Sequence, residues 1–298
     1  MEKRIIFHIE NRGYGYIFHW YSYMLAGLRH IPNNKSRFGP DGGGAIEQNY
    51  NGELLNLNEP YNLYFSYLSE FEQFQQESLD IISDLFVVVK KEDISDKDII
   101  VNNYGEFISW SPTHISKDAY LYLRDLFLPR AISSDTKYKN KKYYLSRSKS
   151  HLLSGNSGLK RRQIINESEF DEYLKSKNIE KIFLEDFSTK EKINIFNQAD
   201  LIISPNSGGL LFSLFTPNTS KIIELNVSNP HQISEQYKNQ CDALNIPYYK
   251  FTTEKIDNMD NMKIDINTFN SFLNTIKCCP NGIITGVKSF VAEDIKED

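Results

Sequence analysis

The chain has 298 residues, 40% hydrophobic and 13% aromatic, with a formal net charge of -5 at pH 7. That length carries one large domain or two ordinary ones, and the composition is that of a folded globular protein. The negative balance excludes a surface built to wrap nucleic acid.

The opening MEKRIIFHIENRGYG is too interrupted for a secretory leader, and nowhere do about eighteen apolar residues run together. The expectation is a cytoplasmic chain with at most peripheral membrane contact. Cys241, Cys278 and Cys279 lack metal-ligand spacing and read as reduced, buried or incidental thiols.

Residues 4–9 read as a buried strand, followed by a glycine turn at Gly13 and Gly15 and a helix-spaced run from residue 16. Strand, glycine turn and helix open a Rossmann-like unit. Residues 32–61, with RFGPDGGGA at their centre, read as a long loop of the kind that serves a site. A helix over residues 70–83, strands over 85–89 and 98–103, and a helix over 117–128 follow. The polar, aperiodic stretch 129–142 reads as a linker, which divides the chain into domains 1–135 and 136–298.

Beyond the linker, strands are predicted at 143–146, 163–165, 181–184, 201–204, 221–225 and 248–251. Helices are predicted at 167–176, 189–198, 208–215, 231–244 and 266–276. Asn166 with Glu169, and Ser188 with Glu191, have the spacing of capping boxes. Such alternation predicts an α/β fold with a parallel sheet covered on both faces.

In an open parallel sheet, ligands bind beyond the carboxyl ends of the strands. There the chain places Arg147 after YYLS, Ser204 and the knot Pro205-Asn206-Ser207-Gly208-Gly209 after LII, and Glu224 after KII. The knot has two readings: a tight turn, or a helix start whose N–H groups seat a phosphate. Arg147 would then offer a fork to pyrophosphate, and Glu224 either a carboxylate for a ribose diol or a charge facing solvent. Arg161-Arg162 reads either as a solvated pair or as part of that site. The glycine fingerprint of a nicotinamide-dependent oxidoreductase is missing.

Taken together, YYLSRSKS, RRQIINESEF, IFLEDFSTKEKINIFNQADLIISPNSGGLLFSLF and KIIEL resemble, in order and spacing, the signature of glycosyltransferase family 61. YIFHWYSYML and LRDLFLP extend the resemblance, which covers about residues 11–225. It implies a GT-B type architecture, two Rossmann-like domains facing a central cleft, with a 1–135 acceptor-side domain and a 136–298 domain holding the nucleotide-sugar. It also implies an inverting, metal-independent enzyme with no cofactor, using a UDP-linked donor and a glycan or glycolipid acceptor in polysaccharide biosynthesis. Arg147, Arg162, Asn166, the turn Ser207, Gly208, Gly209, Leu210, and Glu224 inherit nucleotide-side roles. Where the family usually has His-Gly-Ala-Gly-Leu, this chain has Asn206-Ser207-Gly208-Gly209-Leu210. That departure motivates an alternative, a non-catalytic nucleotide-sugar or glycan-binding protein.

Inverting transfer needs a base for the acceptor hydroxyl, and His19 is the first candidate, with Asp41 and Glu47 in reserve. Asp96-Lys97-Asp98 precedes a strand instead of following one and reads as a solvated turn. Gly42-Gly43-Gly44 reads as part of a mobile acceptor loop.

Overall fold

The computed structural model describes residues 5–9, 21, 25, 63–67, 73–84, 86–88, 93, 95, 99–102, 117–149, 161–227 and 235–278. The chain divides into two compact units, one of Met1–Ile132 with Ser188–Ile193 and one of Ser133–Phe187 with Asn194–Asp298. Among the described residues no helix is long and apolar enough to cross a membrane.

Unit 1 contains strands β1 (Ile5–Ile9), β2 (Leu63–Tyr67), β3 (Phe86–Val88) and β4 (Ile99–Asn102), all parallel, in the order β3-β2-β1-β4. That order is the core of a doubly wound sheet, with a reversal beside β1. Among its described residues are the helices α1 (Gln73–Ile81) and α2 (Lys117–Ala131). Tyr21 is fully buried against Phe127, ring centroids 5.3 Å apart, and its hydroxyl meets Ser78 Oγ at 2.7 Å. Such a partner offsets the cost of taking a tyrosine hydroxyl out of water, which would otherwise subtract from the gain of burying the ring.

Two expectations change here. No element is predicted between the loop ending at residue 61 and the helix from residue 70, where the structure has β2; its signal is present in Pro60 and Asn62 and in the aromatic run LYFSY that follows them. The helix expected to stop at residue 128 runs through Pro129 to Ala131. Arg130 completes that last turn, bonding the Leu126 carbonyl at 2.9 Å and pairing in bidentate fashion with Asp84 at 2.7 Å.

Unit 2 contains β5 (Lys142–Leu145), β6 (Glu180–Ile182), β7 (Leu201–Pro205), β8 (Lys221–Val227) and β9 (Tyr248–Thr253), all parallel, in the order β6-β5-β7-β8-β9. Continuous apolar strands such as LIIS and KIIEL are what a parallel sheet buried on both faces demands. Ile203, Ile223, Leu225 and Tyr144 meet α3 (Glu167–Ser176) and α6 (Ile266–Cys278) in one core. Phe170 and Phe251 each meet Phe269 edge-on at 5.0 Å, a preferred aromatic geometry. Ile222 and Glu224 alternate with those residues and so face the other side of the sheet. Unit 2 also holds α5 (Gln236–Ala243) and a 3-10 helix (Gly208–Phe215), tied together by Gln240, whose amide bonds Leu211 O at 3.0 Å and Ser213 Oγ at 2.8 Å. The helix α4 (Thr189–Gln198) crosses the division between the units.

The stretch 129–142 is not a free tether. Tyr138 is buried edge-on against Tyr143 and Phe187, and the Asn140 N–H donates to the Gln198 carbonyl, so one aromatic pins a polar run to unit 2. Residues 163–165 make a single parallel bridge, Ile164 to Met262, not a strand. Residues 208–215 form a 3-10 helix and not an α-helix, and every residue from Leu210 to Phe215 is buried. The capping box is realised at Ser188, whose N–H donates to Glu191 Oε2 at 3.0 Å while its Oγ accepts from Glu191 N at 3.3 Å. At Asn166 it is not, because the side chain makes no cap bond and is used elsewhere.

Candidate functional site

The strand order of unit 2 reverses at β5, whose neighbours β6 and β7 are added on opposite sides, and the loops leaving β5 and β7 meet there. This is the place where doubly wound folds carry ligands. Arg147, just beyond β5, donates from Nη1 to the Asn206 carbonyl at 3.2 Å. Arg162 donates from Nη1 to Asn206 Oδ1 at 2.7 Å and to the same carbonyl at 3.4 Å. Two cations therefore converge on one residue just past the end of β7. Burial, and then the neighbouring charge of Arg162, lower the pKa of Arg147. Like charges held together in a half-buried place favour an anion between or beside them.

Backbone strain accompanies this convergence. Arg162 sits at φ 56°, a left-handed conformation that costs a residue with a Cβ about 1–2 kcal/mol. Its N–H is held by the Met259 carbonyl at 2.9 Å.

Behind the arginines lies a buried carboxylate. Glu224 has no exposed surface. Its Oε1 accepts from Asn206 Nδ2 at 2.8 Å and Asn226 Nδ2 at 3.1 Å, and its Oε2 accepts from the Tyr248 hydroxyl. Burial raises its pKa, against the opposing pull of the bonds from Tyr248 and Asn206 and the charge of Lys250. Glu224 does not close its strand, as its place after KII implied. β8 continues to Val227, and Glu224 pairs in register between Ser204 and Lys250. The reading in which it faces solvent is excluded by its burial.

The 3-10 helix begins beside the same loop. Ser207 is extended at φ -158°, and the first intrahelical bond is Leu210 N to Ser207 O at 3.0 Å. The geometry leaves the N–H groups of Gly208 and Gly209 without an acceptor inside the helix. Gly209 is closely packed: a Cβ there would lie 2.6 Å from Leu184 Cδ1, the end of a flexible side chain that would have to turn aside. Leu210 is wholly buried and anchors the turn from below.

Of the residues singled out in the sequence, Arg147, Arg162, Asn206 and Glu224 thus form one connected cluster, with Ser207 and Gly208 next to it in the chain. Asn166 is engaged elsewhere. Its Nδ2 donates to the Ile264 carbonyl and to Glu169 Oε2, both at 2.9 Å, and its Oδ1 accepts from Ile264 N at 3.0 Å, which ties α3 to the segment before α6. His19, Asp41 and Glu47 lie outside the described residues, as do Gly42-Gly43-Gly44, Asp96 and Asp98. Among the described residues no three His, Cys, Asp or Glu side chains group as metal ligands. Cys241 is buried, and its thiol pKa is pushed up to about 12 by that burial, so it is an inert packing residue.

Sequence reasoning missed Tyr248, Asn226 and Glu167. Glu167 accepts from Ser146 Oγ at 2.5 Å and from Tyr144 Oη and Lys181 Nζ at 2.9 Å, which steadies the loop carrying Arg147. No local pattern marks Tyr248 or Glu167, because one acts across the sheet from β9 and the other from a neighbouring helix, whereas Asn226 acts from two residues along β8 itself, on the same face as Glu224.

Fold and site together define an α/β protein whose second unit presents an arginine pair at the switch point of a parallel sheet. The family described as Glycosyltransferase 61 matches residues 4–223, and the chain belongs to that family. That family's activity is glycosyl transfer, which implies a sugar donor and an acceptor. No curated protein matches the chain.

Proposed function

We propose that this protein is an inverting, metal-independent glycosyltransferase of the GT-B type. It moves a sugar from a nucleotide diphosphate donor, UDP-linked, to a hydroxyl of a glycan or glycolipid during cytoplasmic polysaccharide assembly. The observation that carries the reading is the convergence of Arg147 and Arg162 on Asn206 at the switch point of unit 2. Two parallel α/β units in one chain are the parts of which a GT-B enzyme consists.

In the reaction, a base removes the acceptor hydroxyl proton while that oxygen attacks the anomeric carbon from the face opposite the leaving group. The bond from the anomeric carbon to the phosphate oxygen breaks, and its electron pair stays on the nucleoside diphosphate. Arg147, Arg162 and the Gly208 and Gly209 N–H groups receive that charge. Charge-assisted bonds of this sort are worth about 1.5–3 kcal/mol each, so two arginines supply a substantial part of the barrier reduction. His19, Asp41 and Glu47 are the candidates for the base, on the acceptor side.

The test compares binding of UDP with binding of uridine, followed by a transfer assay with and without EDTA. Arg147→Ala and Arg162→Ala are expected to weaken UDP binding by about tenfold or more while leaving uridine binding near wild type. Equal losses for both ligands would remove the arginines from the diphosphate. Binding without transfer to any acceptor would favour a non-catalytic binding protein, the reading motivated by Asn206-Ser207. Loss of transfer in EDTA, restored by a divalent ion, would overturn metal independence.

A further inference from the structure

Glu224 has both carboxylate oxygens occupied, has no exposed surface and lies in the middle of a strand. A ribose diol would have to displace Asn206, Asn226 or Tyr248 to reach it. We propose that Glu224, fixed by Tyr248 and Asn226, is a positioning residue that aims Arg162 at the donor diphosphate through the side-chain amide of Asn206, and makes no contact with the ribose. The proposal rests on the donor-site reading given above.

The argument is one of donors and acceptors. A carboxylate only accepts, and a guanidinium only donates. A side-chain amide between them has one stable orientation, its Nδ2 toward Glu224 and its Oδ1 toward Arg162, and those are the bonds seen at 2.8 Å and 2.7 Å. Asn206 also keeps the two charges apart. A direct pair between Glu224 and Arg162 would orient the guanidinium but spend its charge on the carboxylate. Interposing a neutral amide holds Arg162 in place and leaves its charge for an anion. Tyr248 and Asn226 complete the arrangement, since the three donors fix the carboxylate plane that Asn206 reads. The carbonyl of Asn206 then gathers Arg147 as well, so both cations are set by one residue.

The test uses the full chain and isothermal titration with UDP and GDP, taking uridine and guanosine as phosphate-free controls. Glu224→Leu, Glu224→Gln and Tyr248→Phe are each made in wild type and in Arg162→Ala. Glu224→Leu is expected to lose about tenfold or more in diphosphate affinity and nothing in nucleoside affinity. Glu224→Gln still offers an oxygen to Asn206 and should stay within about threefold of wild type for the diphosphate. In the Arg162→Ala background, Glu224→Leu should add no further loss, because its effect passes through that arginine. Equal losses for nucleoside and diphosphate, or a loss that persists in full without Arg162, would overturn the proposal. Should Glu224→Leu not fold, Tyr248→Phe carries the same comparison, with a loss of about threefold expected for the diphosphate alone. A wild type that binds diphosphate, with every relay variant unchanged, sinks the relay only. A wild type that binds neither diphosphate sinks the donor site and the relay together.

Discussion

Replacing Asn206 by alanine isolates the stability carried by the chain of bonds from Arg162 to Tyr248. The side chain is 8% exposed and makes two charge-assisted bonds, one from Arg162 at 2.7 Å and one to Glu224 at 2.8 Å. Bonds to charged groups contribute about 1.5–3 kcal/mol each. Arg162 is half-buried and keeps a longer bond to the Asn206 carbonyl, so water recovers much of its loss. Glu224 cannot be rehydrated where it lies and loses one of its three donors. The sum is a destabilisation of about 2–4 kcal/mol, dominated by Glu224. Asn226→Ala should cost less, about 1 kcal/mol, because that bond is longer at 3.1 Å and its donor is partly exposed. The appropriate assay is hydrogen exchange of the β7 and β8 amides, which reports unit 2 alone. Tryptophan fluorescence would not, since Trp20 and Trp110 both belong to unit 1. An Asn206→Ala protein within about 0.5 kcal/mol of wild type, or equal to Asn226→Ala, would refute the reasoning.

Three further expectations follow from the same geometry. Glu224 has its folded-state pKa raised above the ordinary 4.5, chiefly by burial, so its contribution to stability is present below 4.5 and is lost as pH rises through the folded value. The melting temperature of Glu224→Gln relative to wild type should therefore climb as pH increases from 4.5, and a flat difference would contradict this. Glu167 has the opposite sign: burial raises its pKa, but bonds from Ser146, Lys181 and Tyr144 outweigh that and hold it below 4.5. Its stabilisation is present above 4.5 and lost on acidification through the folded value, so the deficit of Glu167→Gln should be largest at neutral pH and shrink in acid; a deficit constant with pH would count against it. Gly209→Ala places a Cβ 2.6 Å from the mobile end of Leu184, and turning that side chain aside should cost about 0.5–1.5 kcal/mol by denaturant unfolding. The loss should vanish in a Leu184→Ala background; an equal loss there would mean that the glycine serves the backbone.

The sequence by itself determined the elements whose signals are local. The helices Glu167–Ser176 and Thr189–Gln198 begin and end where periodicity predicts, and the box at Ser188 and Glu191 caps the second of them, because such signals act between residues three or four apart. The alternation of apolar strands and amphipathic helices likewise announced parallel α/β structure. Tertiary structure decided what each polar residue does within that frame. Asn166 and Glu169 have the spacing of a cap, yet the segment ending at Ile264 offered Asn166 better partners. Glu224 reads as the end of a strand until β9 pairs beside β8 and Tyr248 arrives at its carboxylate. Arg162 reads as half of a surface pair until a left-handed backbone turns it onto Asn206. Strand order and register bring these residues together from distant parts of the chain, and no local pattern encodes that meeting. The bonds exist because a buried charge must be satisfied by whatever donors the assembled sheet places within reach.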